Sequence, residues 1–233
     1  MKRFAPLVGK ELGALFGSPI AWILIGVFLG LMGYSFTVTL FNNKYATLMH
    51  IVFQAAGLML LVVPVITMRS FAEERRHGTL ELLLTAPVRE SHVVLAKYLA
   101  TMAVFAAMVA LTGTYAVVLG LYGTPEWGPI YSGYLGLVLL ASTLTSLGLA
   151  VSALTANQVV AAIVTIGISF LFWTLDTLAA MLPDAPERVL ISLSLLARLT
   201  PFATGAMYLS DLGFFLSTTL LGLFLATRAL ARR

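Results

Sequence analysis

Cysteine is absent from the 233-residue sequence, which excludes disulfides, thiolate nucleophiles and Cys-type zinc sites. Histidine is scarce: His50, His77 and His92 are scattered and never take the H-E-x-x-H spacing of a helical metal site. No G-x-x-x-x-G-K-[ST] string is present, because Gly9 and Lys10 lack the upstream glycine. A G-x-S-x-G elbow is missing too. The chain is therefore expected to be no enzyme and to bind no metal or cofactor of its own. The deepest shortage is of charge. Asp, Glu, Lys and Arg make up 10% of the residues, against about 25% in a soluble domain.

What fills the space is apolar: 60% of residues are hydrophobic, with a mean hydropathy of +0.98. Residues 12–43, 45–68, 98–125 and 127–175 contain no Asp, Glu, Lys or Arg. A spanning helix needs roughly 20 apolar residues, so the longest run holds two. The expected fold is an all-α membrane protein of one domain. Six spans are expected at about 19–40, 47–68, 95–122, 130–154, 159–181 and 212–230. The first apolar run is too long for a signal-peptide core, so no cleaved signal is expected. Six spans place both termini on one side. With those termini in the cytoplasm, eleven of the fourteen Lys and Arg residues fall inside, and Lys44, Arg188 and Arg198 fall outside. The net charge of +4 is thus a topology signal and gives no reason to expect nucleic acid.

Before the first span, Phe4, Leu7, Val8, Leu12 and Leu15 recur at helical spacing, opposite Pro6, Gly9, Lys10, Gly13 and Gly17. An amphipathic helix over about 2–17, lying in the cytoplasmic interface, is expected. The outer segment at about 183–210 is too apolar for a free loop and too interrupted to span. Thr200 and Pro201 read as a cap followed by a first helical residue, so a short helix or re-entrant piece is expected there. Lys97 is expected to snorkel to the inner headgroups. Gly26, Gly30 and Gly33 on span one, and Ser142, Ser146 and Ala150 on span four, form small faces that permit close helix contact, more often packing within the chain than a dimer seam. Asp176 in span five is the intramembrane carboxylate, a candidate for cargo handling or gating. The blander reading has it wetted, or paired with Arg188 or Arg198.

One dense charged stretch, at 69–90, interrupts this pattern. Span two is expected to continue as a helix through Glu73, Glu74, Arg75 and Arg76. Gly78 offers the left-handed residue that ends helices, and Thr79 caps a second helix with Glu81 in its first turn. That helix would present Leu80, Leu82, Leu83 and Leu84, and Pro87 would stop it. Four leucines outside the membrane ask for a partner.

The string MRSFAEERRHGTLELLLTAPV from Met68 to Val88 resembles the cytoplasmic signature of ABC-2 type permeases, the membrane subunits of ATP-binding-cassette transporters. It is most similar to the gliding-motility-associated and copper-processing permease subgroup. Lys10 and Glu11 with Ser18 to Ala21, Trp127 to Pro129, and Ser152 to Val159 also fit. The resemblance implies an N-terminal elbow helix and a coupling helix between spans two and three that docks on a separate ATPase subunit. It assigns that coupling to Glu73, Glu74, Arg75, Gly78, Thr79, Glu81, Leu82, Leu83 and Leu84. It further implies two ATPase chains carrying ATP and Mg, a second permease chain, identical or related, membrane lipids as surroundings, and an inner-membrane location. Export is the implied activity. The alternatives are a self-contained secondary transporter or channel, and a mechanical ABC complex that moves no cargo.

Overall fold

The structure, a computed structural model, describes residues 4–43, 48–79, 89–181 and 184–231. Among these residues there are nine helices and no strand: α1 (Phe4–Phe16), α2 (Pro19–Asn43), α3 (Met49–Arg76), α4 (Glu90–Tyr122), α5 (Trp127–Leu154), α6 (Gln158–Ala179), α7 (Asp184–Leu193), α8 (Leu195–Thr204) and α9 (Leu209–Ala231). Six of them, α2 to α6 and α9, are long and apolar enough to cross a bilayer. Helices suit that solvent because they satisfy every backbone group internally. At the start of α6 a side chain adds to this. Asn157 Oδ1 accepts the amides of Val159 and Val160 at 2.9 and 3.3 Å.

α5 is the axis of the bundle. In its most apolar window 78% of residues are buried, against 22% in both α2 and α6. Its sequence explains the position: Gly133, Gly136, Ser142, Ser146, Gly148 and Ser152 are small enough for neighbours to come close. At Gly148 an added Cβ would lie 2.8 Å from Thr67 Cβ on α3 and overlap the Thr67 hydroxyl. At Gly222 on α9 a Cβ would lie 2.8 Å from Ser146 Cβ. Gly148→Val should therefore force α3 and α5 apart and cost about 1–3 kcal/mol. A lowered thermal midpoint of the detergent-solubilised chain would register it, while Gly167→Val, with nothing within 4 Å of its Cβ position, should leave the midpoint unchanged.

The small face of α2 behaves differently from the expectation of packing within the chain. Gly26 and Gly30 have no atom within 4 Å of a built Cβ, and Gly33 meets only the Tyr115 hydroxyl. The helix turns a neighbouring stripe inward instead, with Ala21, Ile25, Phe28, Met32 and Phe36 buried. Large side chains on that stripe bury more apolar area than glycines could.

The start of α8 also departs from the reading of Thr200 and Pro201. The cap is Ser194, whose Oγ accepts the Ala197 amide at 3.2 Å, and Pro201 lies inside the helix. Pro201 has no N–H to give the Ala197 carbonyl, so α8 goes without that one backbone bond. Gly205 then closes the helix with φ +93°. A cluster formed by Phe71, Val93, Val94, Leu149, Ala153 and Leu230, with Leu7 of α1 against it, brings both chain ends to one end of the bundle, called here the terminal end.

Candidate functional site

The terminal end holds the one place among the described residues where several charged side chains meet inside the protein. Three remote segments build it. α1 contributes Glu11, α3 contributes its last two turns from Arg69 to Arg76, and α4 contributes Lys97. Glu11 lies on the same helical stripe as Leu7 and Leu15, so an inward-facing α1 carries the carboxylate inward with it. Lys97 lies on the buried stripe of α4 with Val93, Ala96, Ala100 and Val104.

Lys97 does not reach for headgroups. Its side chain is 4% exposed and its Nζ donates to Glu11 Oε2 at 3.0 Å and to Glu74 Oε1 at 2.7 Å, with the Phe71 ring centroid at 5.3 Å. The expectation of snorkelling fails because two carboxylates are delivered to it, which satisfies the charge where it stands. One ammonium thus ties α1, α3 and α4 together. Glu74 Oε2 is buried and has no partner among the described residues.

The α3 extension is stiffened along its length. Arg69 donates to Glu73 through Nε at 2.8 Å and Nη2 at 3.1 Å, one turn apart. On the side facing α5, Ser152 Oγ donates to Met68 O and accepts from the Phe71 and Ala72 amides, each at 3.1 Å. Arg75 Nη1 donates to Ala153 O at 3.1 Å. The extension stops at Gly78 with φ +70°, a backbone conformation that costs glycine little. Thr79 Oγ1 donates back to Glu74 O at 3.2 Å.

Of the residues singled out from the sequence, Glu73, Glu74, Arg75, Gly78 and Thr79 therefore share this end of α3. Glu81, Leu82, Leu83 and Leu84 lie outside the described residues. Asp176 is remote, in the last turn of α6, where Oδ1 is buried without a partner among the described residues. Arg198 does not serve it, since its Nη1 pairs with Asp211 Oδ1 at 2.6 Å. Among the described residues no three His, Asp or Glu side chains are grouped to hold a metal ion.

A cavity of about 350 Å³ opens beside the cluster. Glu11, Arg69, Glu73, Glu74, His77 and Lys97 supply its polar lining, and Ala14, Leu15, Ile20, Ala21, Val65 and Ile66 its apolar lining. The cavity was missed in the sequence reading, and Glu11 entered it only through the resemblance, with no site role. The available signal was a carboxylate at a position where the α1 pattern calls for an apolar residue.

Residues 51–227 match the family described as ABC-2 family transporter protein. No curated protein matches the chain.

Proposed function

The chain belongs to the ABC-2 family of transporter proteins, and from that premise we propose that it is the permease subunit of an ATP-driven exporter. The observation that carries this reading is the α3 extension, a helix prolonged past its apolar length, pinned to α5 by Ser152 and Arg75, and ended at Gly78. Such a rod is a suitable receiver for motion imposed from outside the membrane. In this reading the terminal end is cytoplasmic, as the Lys and Arg distribution favours, α1 is the interfacial elbow, and the membrane is the inner one. Two ATPase chains bind ATP and Mg, and a second permease chain completes the pathway. Leu82, Leu83 and Leu84 dock in the ATPase, and Glu81 makes a charged contact there. The likeness of Met68–Val88 to the gliding-motility and copper-processing subgroup supports a place within that group.

ATPase closure would then push on the segment after Gly78, and the two permease bundles would rock between states biased from both ends. Leu83→Ala tests docking. Burying a leucine contributes about 1.5–3 kcal/mol, so the variant should weaken co-purification of the ATPase by about tenfold or more. Glu81→Ala should keep the complex but separate ATP turnover from transport in lipid. Wild-type assembly and transport in both variants would reject the coupling role.

A further inference from the structure

The cavity beside Lys97 has two halves of different chemistry, and its position in the bundle decides what fits them. Ile20 and Ala21 come from the first turn of α2, and Val65 and Ile66 from the turn of α3 just before Arg69. Arg69 is the residue at which the uncharged run 45–68 ends. The apolar half therefore lies at the edge of the hydrocarbon and the charged half at the polar boundary. Trp22 marks the same level: its indole Nε1 donates to Phe16 O at 2.7 Å and its ring is exposed, the usual habit of tryptophan at a bilayer interface. A volume of about 350 Å³ falls in the range of small-ligand sites, enough for a headgroup and the first part of its acyl chains.

Charge selects the headgroup. Three carboxylates (Glu11, Glu73 and Glu74) face two cations (Arg69 and Lys97), so these five groups carry one negative charge in excess. Lys97 is shared between Glu11 and Glu74, and Glu74 Oε2 is left as a buried acceptor with no donor among the described residues. Such an atom is costly unless a donor reaches it. Arg69 engages Glu73 through two of its five N–H groups, which leaves others for an anionic oxygen. A ligand that answers both has an N–H-bearing cation and a phosphate on one short linker, with apolar tails.

We infer that this cavity is a binding site for a phospholipid whose headgroup ends in a primary ammonium, the ammonium donating to Glu74 and the phosphate lying toward Arg69. A choline headgroup has the same charge but no N–H to give. A glycerol headgroup has hydroxyl donors but adds negative charge to a lining already in excess. The inference does not rest on the ATP-driven reading, because it concerns this chain and the bilayer alone.

The test uses the full chain purified with equimolar phosphatidylethanolamine, phosphatidylcholine and phosphatidylglycerol of matched acyl chains, with retained lipid counted by native mass spectrometry. The ethanolamine lipid should be retained about tenfold over the other two, the size expected of one charge-assisted hydrogen bond. Glu74→Gln should bring that preference close to parity. Ala14 on α1 also lines the cavity, and Ala14→Trp, which fills it from that side and leaves the Lys97 contacts in place, should remove retention of all three. Equal retention by the wild type, a preference for the glycerol lipid, or an unchanged preference in either variant would overturn the assignment. Displacement by excess soluble glycerophosphoethanolamine would assign the site to a free amine and overturn it as a lipid site. ATPase co-purification is a separate measurement, so the two readings fail independently.

Discussion

Lys97→Met should destabilise the chain by about 3–5 kcal/mol, the range for breaking a buried ion pair from one side. The ammonium is 4% exposed on its side chain and holds Glu11 at 3.0 Å and Glu74 at 2.7 Å. Methionine keeps the volume and removes the charge, so two carboxylates remain in a setting prepared for a cation. The penalty is that of the stranded acids, and that makes it testable by compensation. Adding Glu11→Gln and Glu74→Gln to Lys97→Met should recover most of the loss, because a neutral cluster needs no counter-charge. Thermal midpoints of the single and triple variants in the same detergent check this. A single variant as stable as wild type, or a triple variant no better than the single, would show that the cluster contributes little. Lys97→Arg should not rescue fully, since a planar fork does not reproduce a compact ammonium held between two acids.

The second large effect belongs to the far end. Asp211→Ala should cost about 3 kcal/mol, less than Lys97→Met because the partner keeps other contacts. Asp211 is 4% exposed, and its Oδ1 meets Arg198 Nη1 at 2.6 Å with Ser210 Oγ at 3.3 Å. Arg198 also donates through Nε to Ser192 O at 3.0 Å and lies over the Phe214 ring. One guanidinium thus joins the end of α7, α8 and the start of α9. Without the carboxylate it retains Ser192 and partial access to water. The thermal midpoint should fall, and the connection between α8 and α9 at residues 205–208 should become more sensitive to protease. Asp211→Asn keeps an oxygen acceptor at Oδ1 and should lose less than half as much.

These two clusters mark where the sequence stopped being readable. The six long apolar helices could be read because hydropathy is local: an uncharged run such as 98–125 carries its own assignment. The left-handed Gly78 could be read for the same reason, as a glycine placed where a charged helix must end. Lys97 could not, because its partners are 86 and 23 residues away. A lone lysine at a span boundary then looks like a snorkelling one. Asp211 was hidden by a boundary placed one residue later, at Leu212. Arg198 was offered to Asp176 because nothing in a linear reading reveals that α8 points it at α9. At α8 the local signal itself misled: Thr200 and Pro201 satisfy the rule for a helix start, but Ser194 satisfies it six residues earlier and the buried Leu195, Leu199 and Phe202 fix the choice. The motif residues from Glu73 to Thr79 came together because they are neighbours in one helix and its cap.

The Ser152 hydroxyl, set against the backbone of α3 at Met68, Phe71 and Ala72, has a mechanical meaning. From Ala72 to Gly78 the rise of about 1.5 Å per residue gives a short arm of roughly 9 Å. Its fulcrum is inside the bundle, on the most buried helix of the six, and the Arg75 grip on Ala153 O braces it close to the tip. Torque applied at Gly78 would load the end of α5 as a rotation, through the bonds of Ala72 to Ser152 and of Arg75 to Ala153 O. Three residues later it reaches α6, whose exposed Val159, Val160 and Ile163 would sweep through whatever surrounds that face.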